Sequence, residues 1–215
     1  MKKMRNILVL TMTLALLVCV LSGCESTADK IAALSGTWTM VEADTEEQAL
    51  ELLENIEAYD EEIALADLGS LEYVQIVTFT QEQTYSFGYD VEATRDCVKT
   101  FYDNYFAALF QSRATLNEAY GTEFDAMTQE EFLQFYADLY GFETYEALLT
   151  HITDVAYDYE GMQTPWETGT YTIKGDDIMC TIDGQTQAES LGYAIDGSTL
   201  TLTYSNAVEV YTREN

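Results

Sequence analysis

"GTYTIKGDDIMCTIDGQTQAESLGYAIDGSTLTLTYSNAVEVYTR", residues 169–213, alternates apolar and polar side chains and is cut at intervals by turn residues. Tyr171 and Ile173, Ile178 and Ile182, then Leu191, Tyr193 and Ile195, then Leu200, Leu202 and Tyr204 recur at every second position, which puts each group on one face of a strand. The punctuation is Gly175-Asp176, Asp183-Gly184, Asp196-Gly197 and Ser205-Asn206, and Asp-Gly flanked by alternation is a strong hairpin signal. The pattern predicts strands near 168–174, 177–183, 187–195, 198–204 and 207–213, joined in chain order.

Working upstream, "LSGTWTM" at 34–40 shares Gly-Thr-aromatic-Thr-apolar with "ETGTYTI" at 167–173, and both open a block of strands. Thr37–Ala43 reads as the first strand, and Leu71–Thr80 and Thr84–Val91 as a hairpin around Gln81-Glu82-Gln83. In the last of these Tyr85, Phe87, Tyr89 and Val91 share a face. The total is eight strands in an antiparallel meander, for which closure into a barrel removes exposed edges and leaves room for one small ligand.

Two segments change period from two to about 3.6. Between strands one and two, Thr45 with Gln48 has capping-box spacing, and Ala49, Leu52, Leu53, Ile56 and Ile63 follow as an amphipathic stripe over 46–67. Between strands three and four, helices are predicted at about 95–119, 129–140 and 144–158, with breaks at Gly121 and Gly141 and a second capping-box spacing at Thr128 and Glu131. The fold class is therefore α+β: an eight-stranded antiparallel barrel or strongly curled sheet with helical insertions at about 45–68 and 93–161.

The first residues, "MKKMRNILVLTMTLALLVCVLSGCES", set Lys2, Lys3 and Arg5 before an uncharged apolar run from Ile7 to Leu21. That run is shorter than the ~20 residues a membrane-crossing helix needs, and it ends in small residues, as a secretory signal peptide does. Leu21-Ser22-Gly23-Cys24 resembles the lipobox of bacterial lipoproteins. The resemblance implies a signal peptide at 1–23, a diacylglycerol on Cys24, a tether over 24–33, a domain over 34–215 and a place on the extracytoplasmic face of a cell membrane. Two acyl chains suffice for stable attachment.

The whole sequence carries a net charge of −29, with 38 acidic and 9 basic residues. Loss of 1–23 removes three of the basic residues and no acid, leaving Lys30, Arg95, Lys99, Arg113, Lys174 and Arg213. Such a field repels phosphate backbones, so nucleic acid is not an expected partner. His151 is the single histidine, which gives no basis for a Ser-His-Asp or Cys-His pair or for a three-histidine metal site. Acids at calcium-loop spacing over 158–167 are interrupted by Pro165 and followed by a strand, and with 38 acids a carboxylate pair at any given separation is expected by chance. No cofactor or metal and no catalysis are expected. Cys97 and Cys180 are left either as buried thiols or as a disulfide, which an extracytoplasmic compartment permits.

Gly36-Thr37-Trp38 on the first strand, with Arg213 on the last, resembles the Gly-x-Trp and closing basic residue of lipocalins, the calycin barrels. The stretch 168–213 is also similar to the C-terminal half of bacterial lipocalin-like lipoproteins, so the likeness covers 36–43, 71–91 and 168–213. It implies that Trp38 seals the barrel floor with Arg213 laid over it as a cation–π partner. It further implies a small apolar ligand held by inward residues such as Tyr85, Phe87, Tyr89, Tyr171, Leu191, Tyr193 and Leu202, residues that a filled core would use equally. The helical insertions depart from that pattern. They support a second expectation, an envelope protein-interaction or structural module that presents the insertion as its surface.

Overall fold

The structure, a computed structural model, describes residues 26–54, 68–113, 117, 124–205 and 207–213. Strands β1 (Gly36–Ala43), β2 (Glu72–Phe79), β3 (Thr84–Tyr89), β4 (Glu167–Lys174), β5 (Asp177–Ile182), β6 (Glu189–Asp196), β7 (Thr199–Thr203) and β8 (Val208–Arg213) close into one antiparallel barrel in chain order. Register follows the pleat: Trp38 pairs with Val77, Val77 with Phe87, Tyr171 with Cys180, Ile178 with Leu191 and Leu200 with Tyr211, all facing inward. The ring closes where Trp38 pairs with Arg213 and Thr39 with Thr212.

Helices precede and interrupt the strands: α1 (Thr27–Leu34), α2 (Glu46–Glu54), α3 (Val91–Gln111), α4 (Gln129–Leu139), α5 (Tyr145–Ala156) and the single turn α6 (Tyr159–Met162). The stretch expected as a tether is thus helical from Thr27, because the Ser26 hydroxyl and the Asp29 carboxylate form a reciprocal capping box. The third strand ends at Tyr89 rather than Val91. The Asp90 side chain accepts the Ala93 N–H at 2.9 Å, and this cap starts α3 four residues before the expected 95. The expected signal segment, Cys24 and 55–67 lie outside the described residues.

Two separate cores hold the molecule together. One fills the barrel around Trp38, Val77, Phe79, Tyr171, Leu202 and Tyr211. The other lies among the helices around Phe101, Tyr105, Phe106, Phe124, Phe132 and Leu149, and it reaches the sheet through Leu68 and Leu71. The aromatic stripes therefore pack helix on helix, with Phe106 edge-on to Tyr136 at 5.6 Å and Phe110 to Phe132 at 5.5 Å, instead of plugging the barrel. The Thr94 hydroxyl accepts the Val74 N–H at 3.0 Å and ties α3 to β2.

The duplicated Gly-Thr-aromatic motif serves two purposes. Gly36 has a φ of +137°, a conformation that side chains oppose, where the chain swings from α1 into β1. Gly169 sits where Tyr85 crosses β4, and a Cβ there would overlap the Thr181 carbonyl oxygen and lie 2.8 Å from the Tyr85 ring. Gly169→Ala is expected to cost about 3 kcal/mol through this overpacking. Urea denaturation checks it, and an unchanged midpoint would mean that the strands separate there at little cost.

Candidate functional site

The two ends of the barrel differ in construction. At one end, the turns after β2, β4 and β6 gather with α1, and the end is sealed. Leu34 and Trp38 are fully buried there, and the indole Nε1–H donates to the Leu34 carbonyl at 2.8 Å. The Arg213 guanidinium lies 4.2 Å from the Trp38 ring centroid and donates to the Ala33 carbonyl. Lys30 fastens α1 to the β4–β5 turn through the Gly175 carbonyl at 2.8 Å and Asp176 at 3.2 Å.

Above this floor the barrel is filled by its own side chains. Phe79 meets Tyr171 edge-on at 5.3 Å across non-adjacent strands, and the Tyr171 hydroxyl donates to the Thr80 carbonyl at 2.8 Å. Of the residues expected to line a ligand space, Tyr85, Phe87, Tyr171, Leu191 and Leu202 belong to this packed interior. Tyr193 is half-buried and faces a groove of about 430 Å³ outside the floor, shared with Lys30, Ala33 and Asp176. Tyr85, Phe87 and Tyr89 climb β3 toward the opposite end.

That opposite end is accessible. Alternation from Trp38 and Val77 carries Met40, Gln75, Tyr73 and Tyr89 up the inner wall, and all four are half-buried. Trp166, just ahead of β4, is 49% exposed and lies 4.7 Å from Tyr89 and 6.4 Å from Phe87, stacked on the latter. Tyr73 meets Tyr89 edge-on at 5.8 Å. These rings form an aromatic panel on one side of the mouth.

The same inward parity brings a carboxylate to this level on β1, β4, β6 and β8: Glu42 beside Tyr73, Glu167 beside Phe87, Glu189 beside Cys180 and Glu209 beside Leu202. Tyr85 donates to Glu167 and Tyr211 to Glu209, each at 2.8 Å, and Gln75 donates to Glu42 at 2.6 Å. Burial, then the Glu209 carboxylate, pushes the Tyr204 and Tyr211 phenols well above their usual range, and Glu167 and Glu42 across the barrel add to the shift. Tyr73 is raised by burial and by Glu42.

Cys180 points into the barrel beneath this level, where burial, then Glu167 and Glu189, pushes its thiol up to about 12. It is free, and so is Cys97, which lies on α3 in the other layer. The disulfide left open by the sequence is therefore not formed, because Cys180 lies inside the barrel and Cys97 on α3 outside it. His151 is exposed and tilted against Phe142 at 5.0 Å. Among the described residues, no three acids, histidines or cysteines converge closely enough to hold a metal ion. No described helix is long and apolar enough to cross a membrane.

Sequence reasoning passed over the mouth carboxylates among 38 acids, although their shared inward parity near the same end of four strands is a readable signal. It also passed over Trp166, which belongs to no strand. Compared with known proteins, the chain matches no family model, no curated protein and no solved structure.

Proposed function

We propose that this chain is an envelope lipoprotein, lipid-anchored at Cys24, whose lipocalin-like barrel binds a small ligand without catalysis at its accessible end. The observation that carries the reading is the contrast between the two ends: a floor sealed by α1, Trp38 and Arg213, and a mouth where Trp166 stays 49% exposed against Tyr89 and Phe87. A large ring left half in water beside other rings is the composition of ligand sites, in which apolar and aromatic walls carry a few placed polar groups. The packed interior below limits the ligand to the upper part of the barrel. Phe87 and Tyr89 then serve as its wall, and Tyr85, Tyr171, Leu191 and Leu202 as the support beneath.

The competing reading, an interaction module that presents the helical insertion, draws on Leu139 and Val155, which are exposed on α4 and α5. Single exposed apolar residues are common on any surface and demand no partner. Native mass spectrometry of the full chain, released gently from its own envelope in detergent, tests the ligand reading. The expected result is a discrete added mass that is lost on denaturation and absent from Trp166→Ala. A bare mass from the unaltered chain, together with a co-purifying envelope protein, would favour the insertion instead.

A further inference from the structure

The mouth joins an exposed aromatic panel to carboxylates that the chain itself does not neutralise. Beyond residue 23 the sequence contains Lys30, Arg95, Lys99, Arg113, Lys174 and Arg213 as its only Lys and Arg, and all of them are placed. Lys30 and Arg213 hold α1 at the sealed floor, and Lys174 ends β4 beside the turn at that same end. Arg95 pairs with Asp154 at 3.1 Å and Lys99 with Glu146 at 2.6 Å, both within the helical layer. Arg113 lies 4.1 Å over the Phe110 ring. Among the described residues, no ion pair joins any of them to Glu42, Glu167, Glu189 or Glu209, which share the inward parity at the mouth.

Four like charges at one rim raise one another's energy, and a cation entering the mouth relieves that repulsion. Chemistry narrows which cation. A bare metal ion needs several ligands converging within its coordination radius, and no such group exists among the described residues. The panel of Trp166, Tyr89, Phe87 and Tyr73 instead suits a charge spread over alkyl groups, because ring faces attract an alkylammonium while also burying its methyl surface. Glu42 flanks the panel at Tyr73 and Glu167 flanks it at Phe87, so ring face and counter-charge sit side by side.

We infer that the barrel mouth takes an alkylammonium ligand, its cationic head against Trp166 and Tyr89 with Glu42, Glu167 and Glu209 as counter-charges. This deepens the ligand-binding reading and rests on it. The charge complementarity also explains why an apolar panel is tolerated at the rim of so acidic a protein.

Trp166 supplies the readout, since the chain has two tryptophans and Trp38 is fully buried. Quenching by acrylamide, a neutral probe, reports on Trp166, and the full chain in non-ionic detergent is titrated at constant ionic strength with choline or with its uncharged carbon isostere, 3,3-dimethyl-1-butanol. The expected result is that choline shields Trp166 at a concentration at least about tenfold lower than the isostere does, the scale of one cation–π contact plus its counter-charge. The triple variant E42Q/E167Q/E209Q, which keeps the hydrogen-bond acceptors, should cut the preference to what the ring faces alone supply. Equal shielding by both in the unaltered chain would overturn the cationic assignment and leave an apolar ligand site intact. Shielding by neither, with a bare mass in the native spectrum, would overturn both readings. A preference for choline undiminished in E42Q/E167Q/E209Q would remove the carboxylates from the argument and with them this inference.

Discussion

Above pH 10 the protein is expected to unfold abruptly rather than titrate. Its buried phenols hold their protons in the folded chain: burial raises Tyr102, Tyr145, Tyr157 and Tyr159 among the helices and Tyr85, Tyr204 and Tyr211 in the barrel, with Tyr159 pushed up to about 12. Carboxylates add to the shift where they accept the phenolic proton, as Asp103 does from Tyr145 at 2.8 Å and Asp44 does from Tyr157. In the unfolded chain the same phenols ionise near their ordinary value of 10.0. Between that value and the folded one, the unfolded chain binds fewer protons, so stability falls as pH rises; below the unfolded value it is fully present. Each tyrosine held in this way removes ~1.4 kcal/mol per pH unit. Several acting together exhaust a typical stability of ~5–15 kcal/mol within one to two units. Phenolate absorbance and far-ultraviolet circular dichroism, followed together, check this. The buried tyrosines should ionise in one cooperative step that coincides with loss of secondary structure, and smooth phenolate formation in an intact fold would sink the expectation.

Trp38→Ala should be the most damaging single truncation in the barrel, at about 3–5 kcal/mol. The indole is fully buried, its N–H satisfies the Leu34 carbonyl at 2.8 Å, and its face carries Arg213. Removing it opens a void under α1, orphans a carbonyl and leaves a guanidinium over empty space. Trp166→Ala is the matched control: the same residue type, half in water and outside any strand, with an expected cost below ~1 kcal/mol. Urea denaturation of both variants separates the cases. Equal losses would mean that the sealed floor contributes no more to stability than the mouth does.

Most of the sheet was legible because period-two alternation and Asp-Gly turns report local geometry directly. The segment 169–213 announces its hairpins, and pairing in chain order follows from short connections. The helical stripes were legible for the same reason. What escaped was junction chemistry. Ser26 and Asp29 have the spacing of a capping box, yet next to an expected lipid site they read as a tether; Asp90 reads as the last outward residue of a strand until its cap to Ala93 is seen. The cysteines were ambiguous because the sequence allows both to be buried thiols, and only the topology places Cys180 in the barrel core and Cys97 half-buried on α3 outside it. The mouth was legible residue by residue but not as a site. Glu42, Glu167, Glu189 and Glu209 are far apart in sequence, and barrel closure alone makes them neighbours.

The first strand begins and the last strand ends at the sealed floor, where Gly36 follows α1 and Trp38 pairs with Arg213. Cys24 precedes Ser26 by two residues, a reach of about 7 Å when extended. The proposed lipid on Cys24 would stand the barrel on the membrane floor-first and aim its mouth outward. On that proposal ligand would arrive from the aqueous side, not by lateral escape from the bilayer, and its supply would depend on what diffuses past the anchored barrel.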